Sequence, residues 1–374
     1  MSKVVVIGAL PESLLNFRGE LLKELLMAGH EVIAMADAEE VSVVSRLSAM
    51  GVSFRAYPVE RNGLNPLADL KTFLVLRKLF QELQPDVVLS YTIKPVVWSG
   101  MALKGISGTR FYALITGLGF VFHEGHGFMY QAVTRLAKSL YRFSLSRACR
   151  IIFQNPDNRD FFISKKIIDR NQSALVSGSG VMLDKFTVAP LPDQGIVFLT
   201  IGRLLGGKGF REYAMASHLV RKRYPDAVFR IVGPTDPSPD GISFDEVQQW
   251  QNEGTIQYLG ETRDVRPFIA ACHVYVLPSY HEGMPRTVLE AMAMGRPILT
   301  TDVPGCRETV VSGENGYLVP KADAGALAER MMWFIENRNQ LERMGRASRS
   351  MAEERFDVRK VNAKILRIMG LGGS

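Results

Sequence analysis

The sequence predicts an α/β protein built from two doubly wound, parallel-sheet units in tandem. Its 374 residues suit two domains better than one core. Short apolar runs alternate with helical patterns through both halves, and repeated alternation of this kind makes parallel sheets with helices on both faces. The alternation dissolves once, over residues 176–192, into Ser, Gly and Pro before it resumes. Hydrophobic residues at 47% and charged residues at 22% exclude the disordered and fibrous classes.

In the first half, Val4, Val5, Val6 and Ile7 form a continuous apolar run, as in a strand covered on both faces. A helical pattern over 18–28 stops at Gly29, and a strand follows at 31–35. The rhythm continues with a strand at 54–57, a helix over 67–82 and strands at 87–90 and 111–115. In the second half strands are expected at 196–201, 228–232, 256–259, 274–278 and 298–301, with helices over 210–223, 244–252, 265–272 and 285–294. A tail helix over 358–369 carries Val361, Ile365, Ile368 and Met369 near one stripe. The expected organisation is a domain over 1–185, a second over 186–354 and a tail over 355–374 packing toward the first. Open α/β sheets bind ligands at the carboxyl ends of their strands, so two such units are expected to face each other across a ligand cleft.

No apolar run approaches the roughly 18 to 20 residues of a spanning helix, and the opening run is too short for a signal-peptide core, so a cytoplasmic protein is expected. Cys149, Cys272 and Cys306 have no metal or disulfide spacing and are expected to be reduced core thiols. The net charge of +7 sits mainly in residues 1–185, which hold 22 Lys and Arg against 16 Asp and Glu. That asymmetry fits nucleic acid, an anionic membrane or a solvated face.

Two constellations carry chemistry. Gly202-Arg203-Leu204-Leu205-Gly206-Gly207-Lys208-Gly209 follows the strand at 196–201. An Arg that can fork to two oxygens, a mobile Lys and a following helix N-terminus together suit a diphosphate leaving group. The plainer reading of Arg203 and Lys208 is a pair of solvated cations. Ser279-Tyr280-His281-Glu282-Gly283-Met284-Pro285-Arg286-Thr287-Val288-Leu289-Glu290 follows another buried strand. There Gly283 permits close backbone approach, Pro285 suits a first helical position, and Glu282 and Glu290 can each accept hydrogen bonds from vicinal hydroxyls. The plainer readings are a cap for Glu282 and a paired helix carboxylate for Glu290.

Glu282 and Glu290 form an E-x7-E signature, and with Arg203 and Lys208 they resemble glycosyltransferase family 4 of the GT-B fold, over residues 196–319. The entries Ile201-Gly202-Arg203 and Val276-Leu277-Pro278-Ser279 and the segment Thr301-Asp302-Val303-Pro304-Gly305 are similar to it too. The resemblance implies two Rossmann-like domains and a retaining transfer that needs neither metal nor cofactor. Arg203 and Lys208 would bind the diphosphate of a nucleotide-sugar donor, Glu282 the donor sugar and Glu290 the ribose. Gly202, Gly283, Met284 and Pro285 would line the donor, and Arg263, in the loop 261–265, would lie beside the base. Catalytic roles fall to Arg203, Lys208 and Glu282.

In the first domain Leu15-Asn16-Phe17-Arg18, Leu64-Asn65-Pro66, Tyr91-Thr92-Ile93-Lys94-Pro95 and Ile115-Thr116-Gly117-Leu118-Gly119 resemble a subgroup that builds bacterial surface polysaccharides on lipid carriers. That likeness implies an N-acetylhexosamine such as GalNAc, given by a UDP-sugar to a polyprenyl-diphosphate-linked saccharide. Asn16, Arg18, Lys94, Thr116 and Gly117 are its acceptor-side candidates; Arg18 and Lys94 read alternatively as solvated cations. Thr116-Gly117 stands where many members of the family carry a histidine, and His123 and His126 follow in a Gly-containing stretch.

Residues 129–150 hold five cations and no acid, with Arg135, Lys138 and Arg142 beside a stripe of Val133, Leu136, Leu140 and Phe143. This is either a packed helix with a solvated basic face or a helix lying on the inner face of an anionic membrane, a peripheral attachment. With no aromatic platform, zinc module or helix-turn-helix signal, no nucleic-acid partner is expected. The rival functions are a sugar-nucleotide epimerase of similar fold, which needs no acceptor, and a non-catalytic sugar-nucleotide-binding protein.

Overall fold

The computed structural model describes residues 1–38, 40–60, 65–118, 128–193 and 195–372. The chain forms two compact units, one of Met1–Ser179 with Arg359–Ser374 and one of Gly180–Val358.

The first unit runs β1 (Lys3–Ile7), α1 (Pro11–Met27), β2 (Glu31–Ala36), α2 (Val41–Ala49), β3 (Ser53–Ala56), α3 (Pro66–Leu83), β4 (Val87–Tyr91), α4 (Ile93–Ala102), β5 (Arg110–Ile115), α5 (Phe128–Leu145), β6 (Ala148–Phe153), α6 (Pro156–Ser164) and β7 (Ser173–Leu175). Its strands lie parallel in the order β3-β2-β1-β4-β5-β6-β7. The strand order reverses after β3, and right-handed crossovers then place α1 and α2 on one face of the sheet and α3, α4 and α5 on the other. The core divides accordingly: Leu76, Phe80, Val96 and Tyr141 pack under the second layer, and Leu14, Leu21, Leu47 and Val361 under the first.

The second unit runs β8 (Val197–Ile201), α7 (Phe210–Arg221), β9 (Val228–Val232), α8 (Phe244–Asn252), β10 (Gln257–Tyr258), α9 (Arg266–Ala270), β11 (Val274–Leu277), α10 (Arg286–Ala293), β12 (Ile298–Thr301), β13 (Gly316–Val319), α11 (Ala324–Glu336) and α12 (Leu341–Met351). The parallel order is β10-β9-β8-β11-β12-β13, so β8 and β11, which precede the two constellations, are central neighbours. The last helix, α13 (Val358–Met369), belongs to the first unit: Arg110 Nη1 and the Tyr112 hydroxyl both donate to Met369 O, at 3.0 and 3.1 Å.

The expected strands appear within a residue or two of their limits. Strands β6, β7 and β13 and helices α2, α4 and α6 lie outside the expected set, and three further features differ. Helix α1 starts at Pro11, well before residue 18, with Pro in the first turn and Glu12 beside it, both favourable at a helix start. The units divide at Ser179 rather than at 185, because the segment after Gly180 is bonded to the second unit. Val181 N donates to Phe356 O at 2.8 Å, Arg296 Nη2 to Pro190 O at 3.0 Å, and His273 Nε2 lies 3.0 Å from Pro192 O. Finally, Cys272 and Cys306 are buried thiols as expected, but Cys149 is exposed.

Candidate functional site

The carboxyl edge of the second sheet gathers both constellations. Gly209, at φ +74°, turns the chain from the loop into α7; a Cβ there would sit 2.0 Å from Pro278 O, so this loop can lie against the end of β11 only with glycine. The loops are then bonded together: Tyr280 N donates to Gly207 O at 2.9 Å and Ser279 Oγ to the same oxygen at 3.2 Å. The Tyr280 hydroxyl donates to Glu212 Oε1 at 2.6 Å, and burial, then Glu212, push its pKa up to about 12.

This bracing brings Lys208 and Glu282 into direct contact, Nζ to Oε1 at 2.5 Å, with side chains 28% and 11% exposed. Arg203 stays near the surface and donates from Nη1 to Asp236 Oδ2 at 2.6 Å. Asp236 is held below the usual carboxylate range, first by Ser238 and further by Arg203. Asp240 fixes the glycine loop, its Oδ2 accepting from Gly207 N at 2.9 Å and its carbonyl from Gly206 N at 2.8 Å. Neither cation is thus a free solvated charge. Asp236 and Asp240 escaped the sequence reading; their signal is the run Asp236-Pro237-Ser238-Pro239-Asp240-Gly241, a rigid acidic loop after β9 at the same edge.

Glu290 is buried in α10 and pairs with Arg286 Nε at 2.8 Å, so the paired-carboxylate reading holds. Pro285 is the residue before the helix and not its first turn. Gly202, Gly283 and Met284 are half-buried around the edge, whereas Arg263 is exposed between β10 and α9. Among the described residues no group of three or more His, Cys, Asp or Glu is arranged to hold a metal ion.

Burial holds the Glu290 carboxyl above its ordinary value, with Arg286 pulling it back. A carboxyl whose folded pKa exceeds its unfolded value of about 4.3 binds its proton more tightly when folded, so its contribution to stability falls as pH rises through that window. Glu290→Gln is therefore expected to raise Tm above wild type at neutral pH, with the gain vanishing near about pH 4. A variant less stable than wild type at neutral pH contradicts this.

In the first unit Arg18 and Lys94 are not solvated cations. Arg18, 2% exposed, lies with its guanidinium 5.1 Å from the centre of the Tyr91 ring. Tyr91 ends β4, shares a 2.7 Å hydrogen bond with Ser13, and is pushed up to about 12 by burial. Lys94, in the first turn of α4, pairs with Asp69 of α3 at 2.9 Å. Between them Thr92 has φ +67°, a strained conformation for a β-branched residue. Asn16 is exposed on α1, and Thr116 and Gly117 are half-buried after β5. Leu64, Gly119, His123 and His126 lie outside the described residues.

Two doubly wound parallel units, the second with a cation-bearing glycine loop at its carboxyl edge, define the GT-B class of α/β fold. The chain belongs to the glycosyltransferases: residues 17–177 match the model "Glycosyl transferase 4-like domain" and residues 183–351 the model "Glycosyl transferases group 1". It is 28% identical, over 87% of each chain, to the N,N'-diacetylbacillosaminyl-diphospho-undecaprenol alpha-1,3-N-acetylgalactosaminyltransferase of Campylobacter jejuni. It is 25% identical, over 76% of each, to the UDP-Gal:alpha-D-GlcNAc-diphosphoundecaprenol alpha-1,3-galactosyltransferase of Escherichia coli. Among solved structures, sucrose-phosphate synthase from Thermosynechococcus elongatus superposes with a TM-score of 0.79 at 18% identity, covering 99% of this chain and 98% of that one. Anabaena HepE in complex with UDP and glucose gives 0.78 at 18% identity, covering 99% and 100%. These last two show the fold alone.

Proposed function

We propose that this protein is a retaining glycosyltransferase that moves an N-acetylhexosamine, such as GalNAc, from a UDP-sugar to a polyprenyl-diphosphate-linked saccharide on the inner face of the cytoplasmic membrane. The observation that carries the site is the juxtaposition of Lys208 and Glu282 at the carboxyl edge of the second sheet, with Arg203 on the same loop. Support for the substrates comes from the two relatives, whose names specify diphosphoundecaprenol-linked saccharides.

In this reading the donor diphosphate takes Arg203 from Asp236 and lies between it and Lys208, against the N-terminus of α7. As the bond from the anomeric carbon to the phosphate oxygen breaks, negative charge grows on that phosphate, where two fixed cations and a helix end stabilise it without a metal. The acceptor hydroxyl bonds to the anomeric carbon from the same face and passes its proton to the departing phosphate. Glu282 holds the donor sugar through its hydroxyls, Glu290 the ribose, and Arg263 borders the base. Asn16, Thr116 and Gly117 are assigned to the acceptor side, and Arg18 and Lys94 to bracing it.

A panel of UDP- and GDP-sugars, read by thermal shift, tests the donor. One UDP-N-acetylhexosamine should stand out, because a ligand at 100 times its Kd adds about 2.7 kcal/mol of stability. Incubated with that donor and a lipid-linked acceptor, with chelator present, the protein should release UDP and lengthen the saccharide. A new sugar nucleotide formed from donor alone would instead identify an epimerase.

A further inference from the structure

We infer that the protein lies on an anionic lipid bilayer through the outer face of α3, with Leu67, Leu70 and Leu74 as the inserted residues. The inference rests on the proposed lipid-linked acceptor, and identifies which surface meets the lipid that carries it.

Helix α3 buries Thr72, Leu76 and Phe80 against the sheet. Its opposite side should be polar, yet Leu67, Leu70 and Leu74 there are 79%, 51% and 55% exposed. Single exposed apolar residues are ordinary on a soluble protein; three at i, i+3 and i+7 form a continuous stripe, which is not. Lys71 and Lys78 are exposed on the same side, Lys78 in an exposed pair with Glu82 one turn further on, at 3.7 Å. An aliphatic stripe flanked by lysines matches the acyl and headgroup layers of an anionic membrane.

Position agrees. Helices of a parallel α/β unit start at the carboxyl edge of the sheet, so Leu67, in the first turn of α3, lies at the edge where such sheets take their ligands. A carrier whose hydrocarbon tail stays in the bilayer can present its diphosphate there without leaving the lipid. Helix α5, in the same layer beyond α4, exposes Arg135 and Leu136. Its Arg142 and Phe143 are already engaged, the first with Lys166 O at 2.9 Å and the second under Lys104 Nζ at 3.3 Å. The leucines of α3 therefore lead.

The test is co-sedimentation of the full chain with vesicles of phosphatidylglycerol and phosphatidylethanolamine, and with phosphatidylcholine alone. Wild type should bind the anionic vesicles more tightly. Changing Leu67, Leu70 and Leu74 together to Asp should lower the partition coefficient by at least about ten-fold, and Leu70→Asp alone by a smaller factor. Tm and transfer to a short, water-soluble acceptor should not change. Val41→Asp, at a residue 82% exposed on α2 across the sheet, should bind like wild type. Unchanged binding in the triple and single leucine variants, or equal loss in Val41→Asp, overturns the proposal. So does a wild type that ignores vesicles; if it still elongates the soluble acceptor, the transferase reading stands. Vesicle binding by wild type and its loss in the leucine variants would uphold the surface even if no lipid-linked saccharide proved to be an acceptor.

Discussion

Arg203→Ala is expected to lower kcat/KM for sugar transfer by about a hundred- to a thousand-fold, with the fold intact. Removing one preorganised donor from a developing oxyanion costs about 2.7 to 4 kcal/mol of transition-state stabilisation. Arg203 is the strongest such donor at this edge because its fork can hold two phosphate oxygens. Its own side chain is 46% exposed; Asp236, 10% exposed, loses this partner on truncation but keeps the Ser238 N–H at 3.0 Å, so Tm should fall by no more than about a few degrees. Arg203→Lys keeps the charge and loses the fork, and should recover only part of the activity. The resting partner can be tested from the other side. Asp236→Asn removes a competitor for the guanidinium; with the Arg203 side chain 46% exposed the pair is screened on that side and worth about 1 kcal/mol, so the donor KM should fall by about five-fold. Steady-state kinetics with the donor varied decides all three; near wild-type transfer by Arg203→Ala sinks the diphosphate assignment.

How much of this was legible beforehand depended on the period and length of each element. Apolar runs such as Val4 to Ile7, and Val197 to Ile201 with Thr200 its one polar residue, mark buried parallel strands, and the central strands of both sheets followed from them, whereas β6, β7 and β13 did not. Short or atypical helices did not show: α2 is rich in Val and Ser, and α4 carries Pro95 and Gly100, so neither has the composition of a helix although tertiary packing makes one. The boundary was displaced because Ser, Gly and Pro over 176–192 look like a linker, whereas the carbonyls of Pro190 and Pro192 are held by Arg296 and His273 about a hundred residues away or closer in sequence. In the site, residue types and their place after buried strands foretold that both loops would stand at the carboxyl edge of the second sheet. They did not foretell that Arg203 and Lys208 each rest on a carboxylate, because Asp236 lies in a loop contributed by another strand. The solvated-cation reading of Arg18 failed for the same reason: the side chain is buried beside Tyr91, which is distant in sequence and is brought near by the pairing of β1 and β4.

The second large effect belongs to the Lys208 and Glu282 pair, and its signature is non-additivity. Lys208→Ala is expected to lower kcat by about a thousand-fold, since it removes a phosphate cation and leaves Glu282, 11% exposed, as a poorly solvated carboxylate. Glu282→Gln preserves shape and the capacity to accept from a sugar hydroxyl. What it loses is charge: a hydrogen bond to a charged group contributes about 1.5 to 3 kcal/mol against about 0.5 to 1.5 for a neutral one. The expected fall in kcat is therefore smaller, about five- to twelve-fold, with the KM for the donor nearly unchanged because both proposed phosphate cations remain. If the carboxylate also aims the ammonium at the leaving phosphate, the two side chains act as one unit, and the double variant should be no slower than Lys208→Ala alone. Losses that simply multiply would mean that Glu282 and Lys208 serve the donor independently, and that their contact in this structure is a resting pair with no part in the transfer.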